Sequence, residues 1–119
     1  MIDKIKLQAE LKNFTGSEQV FYNPLFRKFR YTEGVKYLAQ EANCYWLLDY
    51  IFSNQHSKTL QQTPFQVWSL NAKDNTATIT VEDGNKNQVK FFKLEFTDFP
   101  LEQIDLWFIE GTLILPSEY

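Results

Sequence analysis

Asp49, Ser53 and His56 carry an acid, a hydroxyl and an imidazole at i, i+4 and i+7. On a continuing helix the three share one face, and their types are those of a hydrolase triad. The arrangement argues against that chemistry. A nucleophile usually stands on a sharp turn with backbone donors beside it, and a single helix face supplies no oxyanion site. The helix is also expected to end before His56. Cys44, the one cysteine, reads as a small core residue, because no neighbouring histidine or cation is there to lower its pKa. One Cys and one His exclude a zinc site of the usual thiolate or imidazole kind within one chain. The glycines at 16, 34, 84 and 111 make no phosphate-cradling loop, and no run of twelve residues has the oxygen spacing of a calcium loop. No metal, no cofactor and no catalytic residue is expected.

Two binding chemistries remain. In LFRKFRY (25–31), Arg27, Lys28 and Arg30 alternate with Phe26, Phe29 and Tyr31. Such a stretch can neutralise phosphates while its rings stack on bases. The plainer reading turns the rings into the core and the cations into water. Asp49 also stands inside the apolar run YWLLDYIF. A buried carboxylate must find a partner, because leaving it unpaired costs several kcal/mol or raises its pKa. A structural hydrogen bond is the plainer account. If the chain holds a ligand pocket, Trp46, Asp49 and Trp68 are the residues expected to line it.

The elements that must position these residues follow from periodicity. The chain has 119 residues, which fits one domain spanning 1–119. Eleven Phe, six Tyr and three Trp supply core pieces that bury on the order of 150–250 Å² each. Residues 2–13 read as a helix with two apolar lines, Ile2-Ile5-Ala9-Lys12 and Leu7-Leu11-Phe14. Thr15 and Glu18 have the spacing of a capping box, but QVFY and Asn23-Pro24 turn 17–31 into an extended segment and a turn. Thr32 can cap a helix with the line Val35, Leu38, Ala39, Ala42. CYWLLDYIF continues it, with or without a kink at Asn43, and 53–64 reads as a polar loop.

The second half is β: strands over 65–71, 76–82 and 88–96, then a hairpin turning at Glu110-Gly111. The phase slip at Phe91-Phe92 suggests a bulge or a strand buried on both faces. Thr97 to Pro100 opens a helical turn over 101–104. Helices over 1–55 and strands over 65–115 imply an α+β fold, with N-terminal helices packed on an antiparallel sheet of about five strands.

Seven blocks, FTGSEQ, YTEGVKYLA, YWLLD, PFQVW, EDGN, TDFPL and LPSEY, run in order along nearly the whole chain. Through them the chain resembles an uncharacterised family of small bacterial and phage-borne proteins, a domain of unknown function. The resemblance implies a full-length single-domain match and carries over no activity. It does not extend to the cations at 27, 28 and 30.

Charge and hydropathy narrow the partners. Residues 1–36 carry seven Lys/Arg against four Asp/Glu, and 37–119 carry five against eleven. Neither the net charge of −3 nor this mild asymmetry suits a dedicated nucleic-acid binder. No apolar run approaches the about 20 residues that span a bilayer, and the amino-terminal stretch has no signal-peptide core, so a cytoplasmic protein is expected. The last hairpin and strand 88–96 are apolar on both faces, more than a few helices can cover. The surplus points to a non-enzymatic interaction module, docking on an unknown protein partner or on a second copy of itself. The alternatives are a nucleic-acid-associated accessory protein using 25–31 and a small enzyme or ligand binder near Asp49.

Overall fold

The computed structural model describes residues 3–15 and 19–119. Its class is α+β. Helices α1 (Lys4–Leu11), α2 (Glu33–Glu41), α3 (Tyr45–Ser53) and α4 (Lys58–Gln61) lie in the first half, interleaved with two short strands, β1 (Val20–Tyr22) and β2 (Arg30–Thr32). Strands β3 (Phe65–Lys73), β4 (Thr76–Asp83), β5 (Gln88–Leu94), β6 (Gln103–Ile109) and β7 (Thr112–Ile114) follow. All seven join one sheet in the order β1-β2-β7-β6-β3-β4-β5.

The expected five antiparallel strands are therefore seven, and the sheet is mixed. The two additions come from the first half of the chain, where Asn23-Pro24 separates two three-residue strands that pair with each other. β2 then lies parallel to β7, pairing Arg30 with Thr112 and Tyr31 with Leu113. No local pattern announces a parallel partner some eighty residues away.

Local chemistry sets most boundaries. Thr32 caps α2, its hydroxyl accepting from the Val35 N–H. Asn43, at φ 52°, breaks the apolar run into α2 and α3 rather than one long helix. The β3–β4 and β6–β7 hairpins turn on paired left-handed residues, Asp74-Asn75 and Glu110-Gly111, as two-residue hairpins require. Alternation then selects the faces. Trp68 and Leu70, Ala77, Ile79 and Val81, Leu106 and Phe108, and Leu113 point to one side. There they join Leu38, Leu47, Leu48, Ile51 and Phe52 from the helices in one buried cluster. Each such side chain contributes roughly 1.5–3 kcal/mol by leaving water.

Three local expectations are corrected. The broad stripe of α1 is narrow: Leu7 and Leu11 are buried, while Ile5 is 80% exposed, because α1 touches the body along one line only. The bulge in β5 falls at Val89 rather than at the phenylalanines. Val81 pairs with Lys90 and Glu82 with Gln88, so Val89 is the extra residue and can pack on the core. Phe91 and Phe92 then simply alternate, Phe91 outward and Phe92 stacked on Trp68. The helical turn expected over 101–104 is absent, because β6 claims this backbone: Glu102 C=O accepts from Ala72 N–H and Gln103 pairs with Asn71. The capping box at Thr15–Glu18 lies partly outside the described residues.

The polar stretch 53–64 is no loose loop. A 3₁₀ turn over Asn54–His56 and α4 bring Gln55 over the sheet. Gln55 and Gln66 exchange reciprocal amide bonds at 2.9 Å. Gln66 also donates to the Leu60 and Thr63 carbonyls and accepts from the Trp68 indole N–H. Buried amides are tolerated only when satisfied in this way. Replacing Gln66 by Leu leaves an indole, a carboxamide and two carbonyls without their partner. The expected loss is roughly 2–4 kcal/mol, read as a lower urea midpoint at unchanged slope; an unmoved midpoint would deny the network its structural role.

Candidate functional site

The residues that suggested a triad are brought near one another and do not form a relay. Ser53 Oγ donates to the Tyr50 carbonyl, and His56 Nδ1 lies 2.6 Å from the Ser53 carbonyl oxygen. Asp49 instead accepts from the Asn23 side-chain amide at 2.9 Å. The carbonyl oxygen of that same amide accepts the Leu25 and Phe26 N–H groups. Asp49 thereby orients a buried asparagine that holds the 23–26 turn. Together with burial and the Tyr45 hydroxyl nearby, its charge raises the pKa of Tyr31.

Asp49 and Trp68 are not brought together. Asp49 sits over the β1–β2 end of the sheet with Asn23, whereas Trp68 lies on β3 under the inner side of α3. The void there, between Leu47, Ile51, Trp68 and Ile79, is about 10 Å³, too small for a ligand. Trp46, half-buried on α3, packs against the edge of the core. A wide concavity of about 810 Å³ opens beside Lys4, Lys73, Asp74 and Glu102, whose exposed charges have mixed sign.

In the segment 25–31 the rings turn inward. Phe29 stacks on Phe52 and meets Phe108 edge-on, and Tyr31 is buried beside Phe21. Arg27 and Lys28 are exposed, the Lys28 ammonium lying 5.2 Å from the centre of the Phe29 ring. Arg30 projects from the sheet beside the β6–β7 turn, one Nη 3.5 Å from the Glu110 carbonyl and its buried Nε without a hydrogen-bond partner.

The site that sequence reasoning reached only as a surplus is the outer face of the sheet. The described helices cover the opposite face. Cross-strand register orders the outer side chains in rows. One row runs Ile114, Trp107, Val67, Glu82, and the next Thr112, Ile109, Phe65. Farther along, the rows are mostly polar: Asp105, Ser69 and Thr80, ending on the exposed ring of Phe91, then Gln103, Asn71, Thr78 and Lys93. One end of the face is thus apolar, and its residues are only half-buried. Among the described residues the cover there is Tyr119, whose ring meets Phe65 and Trp107 edge-on at 5.8 and 5.3 Å and stays 77% exposed.

Tyr119 is placed by a clasp. After β7, Pro116–Glu118 form a 3₁₀ turn. The Glu118 carboxylate accepts from the Thr32 hydroxyl at 2.6 Å, the Leu115 N–H at 3.0 Å and the Gly34 N–H at 3.3 Å. An anion at the first turn of α2 also suits the positive end of that helix. Gly34 is required here: a Cβ would stand 2.6 Å from Leu115 Cδ1 and 2.7 Å from Glu118 Oε1. The blocks YTEG and LPSEY are two halves of one joint.

Two outcomes follow. Gly34→Ala must expel the Glu118 carboxylate, costing roughly 1–3 kcal/mol. It should speed amide exchange across residues 115–119 and make Trp107 more accessible to acrylamide; unchanged exchange there would deny the clasp. Cys44 is fully buried, its thiol donating to the Leu38 carbonyl, and burial followed by the charge of Asp98 pushes its pKa up to about 12. It should stay unlabelled by a disulfide reagent at neutral pH and react once the chain is unfolded; rapid native labelling would contradict the packing.

Among the described residues no group of His, Cys, Asp and Glu could hold a metal ion, and no helix is long and apolar enough to cross a membrane. No curated protein and no solved structure matches the chain. Residues 5–119 match the model of one protein family, described as a family of unknown function (DUF6876). The chain belongs to that family.

Proposed function

We propose that this protein is a non-enzymatic interaction module that pairs with a second copy of itself through the apolar end of its outer sheet face. The observation that carries the reading is the half-buried set Phe65, Val67, Trp107, Ile109 and Ile114, with only Tyr119 above it among the described residues. A solvated sheet face normally alternates to polar residues. Aromatic and aliphatic side chains at the centre with charges at the rim are the composition of homodimer interfaces.

Charge favours a second copy. Four long and three short strands at about 4.8 Å spacing present a face of roughly 600 Å² in projection, of which the apolar end is a part. The flanking polar rows must share the contact for each side to bury the about 800 Å² of a stable interface. Arg30 and Glu82 each project two strands from β6, on opposite sides of it. A two-fold axis along β6 would bring Arg30 of one copy to the same side as Glu82 of the other, one row or about 7 Å apart along the strands. Edge-to-edge pairing is disfavoured, since β5 carries a bulge and two lysines, Lys90 and Lys93.

Sedimentation across a concentration series should show a monomer–dimer equilibrium. Val67→Glu should weaken it by at least about 100-fold. Arg30→Glu and Glu82→Arg should each weaken it by roughly three- to tenfold, and the double reversal should restore it. A protein monomeric at every concentration, or a dimer indifferent to all three changes, sinks the reading.

A further inference from the structure

We infer that the strap 116–119 regulates self-pairing: the ring of Tyr119 is a detachable cap on the centre of the outer face, and a second copy binds only when the cap swings away. The inference rests on the self-pairing reading and adds a control to it. β6 is the middle strand of the seven, and β3 is its neighbour. Trp107 on β6 and Phe65 on β3 therefore mark the centre of the apolar end. Central aromatic side chains carry much of the energy of such an interface. Tyr119 rests on these two rings, its centroid 5.3 Å from that of Trp107 and 5.8 Å from that of Phe65. The flank stays open: the rows continue across β2 to Val20 and Tyr22 on β1, which are 42% and 60% exposed.

Spacing makes the two occupants exclusive. Two sheets packed face to face stand about 10 Å apart, and side chains rooted in their strands fill that gap. A two-fold axis along β6 sets Trp107 of one copy opposite Trp107 of the other, at the same height. Each copy would then bring its own Tyr119 to the axis, two rings more than the gap holds. A ring seated on Phe65 and Trp107 adds a layer of its own and holds the second sheet off. Pairing through the central rings thus requires both caps to leave.

The cap is placed so that it can leave. Its ring meets both neighbours edge-on and stays 77% exposed, so little contact is lost when it turns out. The anchor behind it stays. The Glu118 carboxylate accepts from the Thr32 hydroxyl and from the Gly34 and Leu115 N–H groups, and the Ser117 hydroxyl donates to the Leu11 carbonyl. This anchor fixes 116–118 and leaves the Tyr119 side chain to swing, which keeps the ring at high local concentration over the patch. Because each copy must open, the apparent dissociation constant of the pair rises by the square of the cap's closing factor. A factor of about three per cap, modest for two edge-on ring contacts, gives roughly tenfold.

The test compares the wild-type chain with Tyr119→Ser by sedimentation across a concentration series. Serine removes the ring and leaves the anchor, and so exposed a position keeps folding out of the comparison. Tyr119→Ser should tighten the pair by roughly tenfold. Gly34→Ala, which expels the Glu118 carboxylate, should act in the same direction by about threefold or more, since an unanchored ring closes less often. Adding Val67→Glu to Tyr119→Ser should abolish the gain. In the wild-type protein the Tyr119 ring protons should be shifted by Trp107 and Phe65 in dilute solution, and should move to the values of a solvated tyrosine as pairing sets in. Pairing equally tight or weaker in Tyr119→Ser, or ring-shifted Tyr119 protons in the paired state, would overturn the cap and leave self-pairing standing. A gain that survives Val67→Glu, or no pairing of either protein at any concentration, would remove both.

Discussion

One layer of helices can roof only one face of a sheet. That constraint organises the molecule. The inner face is sealed by α2, α3 and the short α4, with Leu38, Leu48, Ile51 and Phe52 meeting Trp68, Ile79, Val81 and Leu106. The outer face has no second layer among the described residues, yet its strands keep Phe65, Val67, Trp107, Ile109 and Ile114. A sheet relying on the inner core alone would gain solubility by making these positions polar. It does so at the far end, where Ser69, Asn71, Thr78 and Thr80 stand. Apart from Phe91 on the β5 edge, apolar character is thus gathered at one end of the face.

The legible parts of the fold were those decided within a few residues. Thr32 before Val35 and Leu38 marks a helix start, because a hydroxyl there satisfies an orphan N–H. Alternation in Ala77, Ile79 and Val81 fixes a strand and its face. Asp83, held by the N–H groups of Asn87 and then Asn85, which lower its pKa, turns the chain toward β5. What could not be read depends on distant partners. β1 and β2 are three residues each, and their existence rests on β7 being alongside. Residues 101–104 carry a plausible helix start, but pairing with β3 outweighs one turn of helical propensity. Ile5 and Ala9 have helical spacing and still face solvent, since periodicity says which residues share a face and not whether anything packs there.

The same distinction separates residue types from sites. Asp49, Ser53 and His56 have the vocabulary of catalysis, yet each side chain is committed elsewhere: to the Asn23 amide, the Tyr50 carbonyl and the Ser53 carbonyl. The rings of LFRKFRY are drawn inward because Phe29 reaches Phe52 and Phe108, and an aromatic ring gains more from such a slot than from water. The surplus of apolar residues on late strands was the more reliable signal. It asks only whether strands apolar on both faces outnumber the helices that could cover them, which survives the two short strands and the short α4 that the sequence did not announce.

Pro116 stands just beyond the end of β7. A strand paired with β6 beyond Trp107 would need an N–H at every second residue, and proline has none. The chain therefore leaves the sheet at Leu115, and Gln103 and Asp105 of β6 have no strand on that side. The departing residues do not drift. The 3₁₀ turn at Pro116–Glu118 brings the Glu118 carboxylate to Thr32, Gly34 and Leu115, and that anchor lays Tyr119 over Phe65 and Trp107. A longer β7 would carry Tyr119 away from the aromatic patch. The length of one strand thus decides both what the sheet leaves open and what partly covers it.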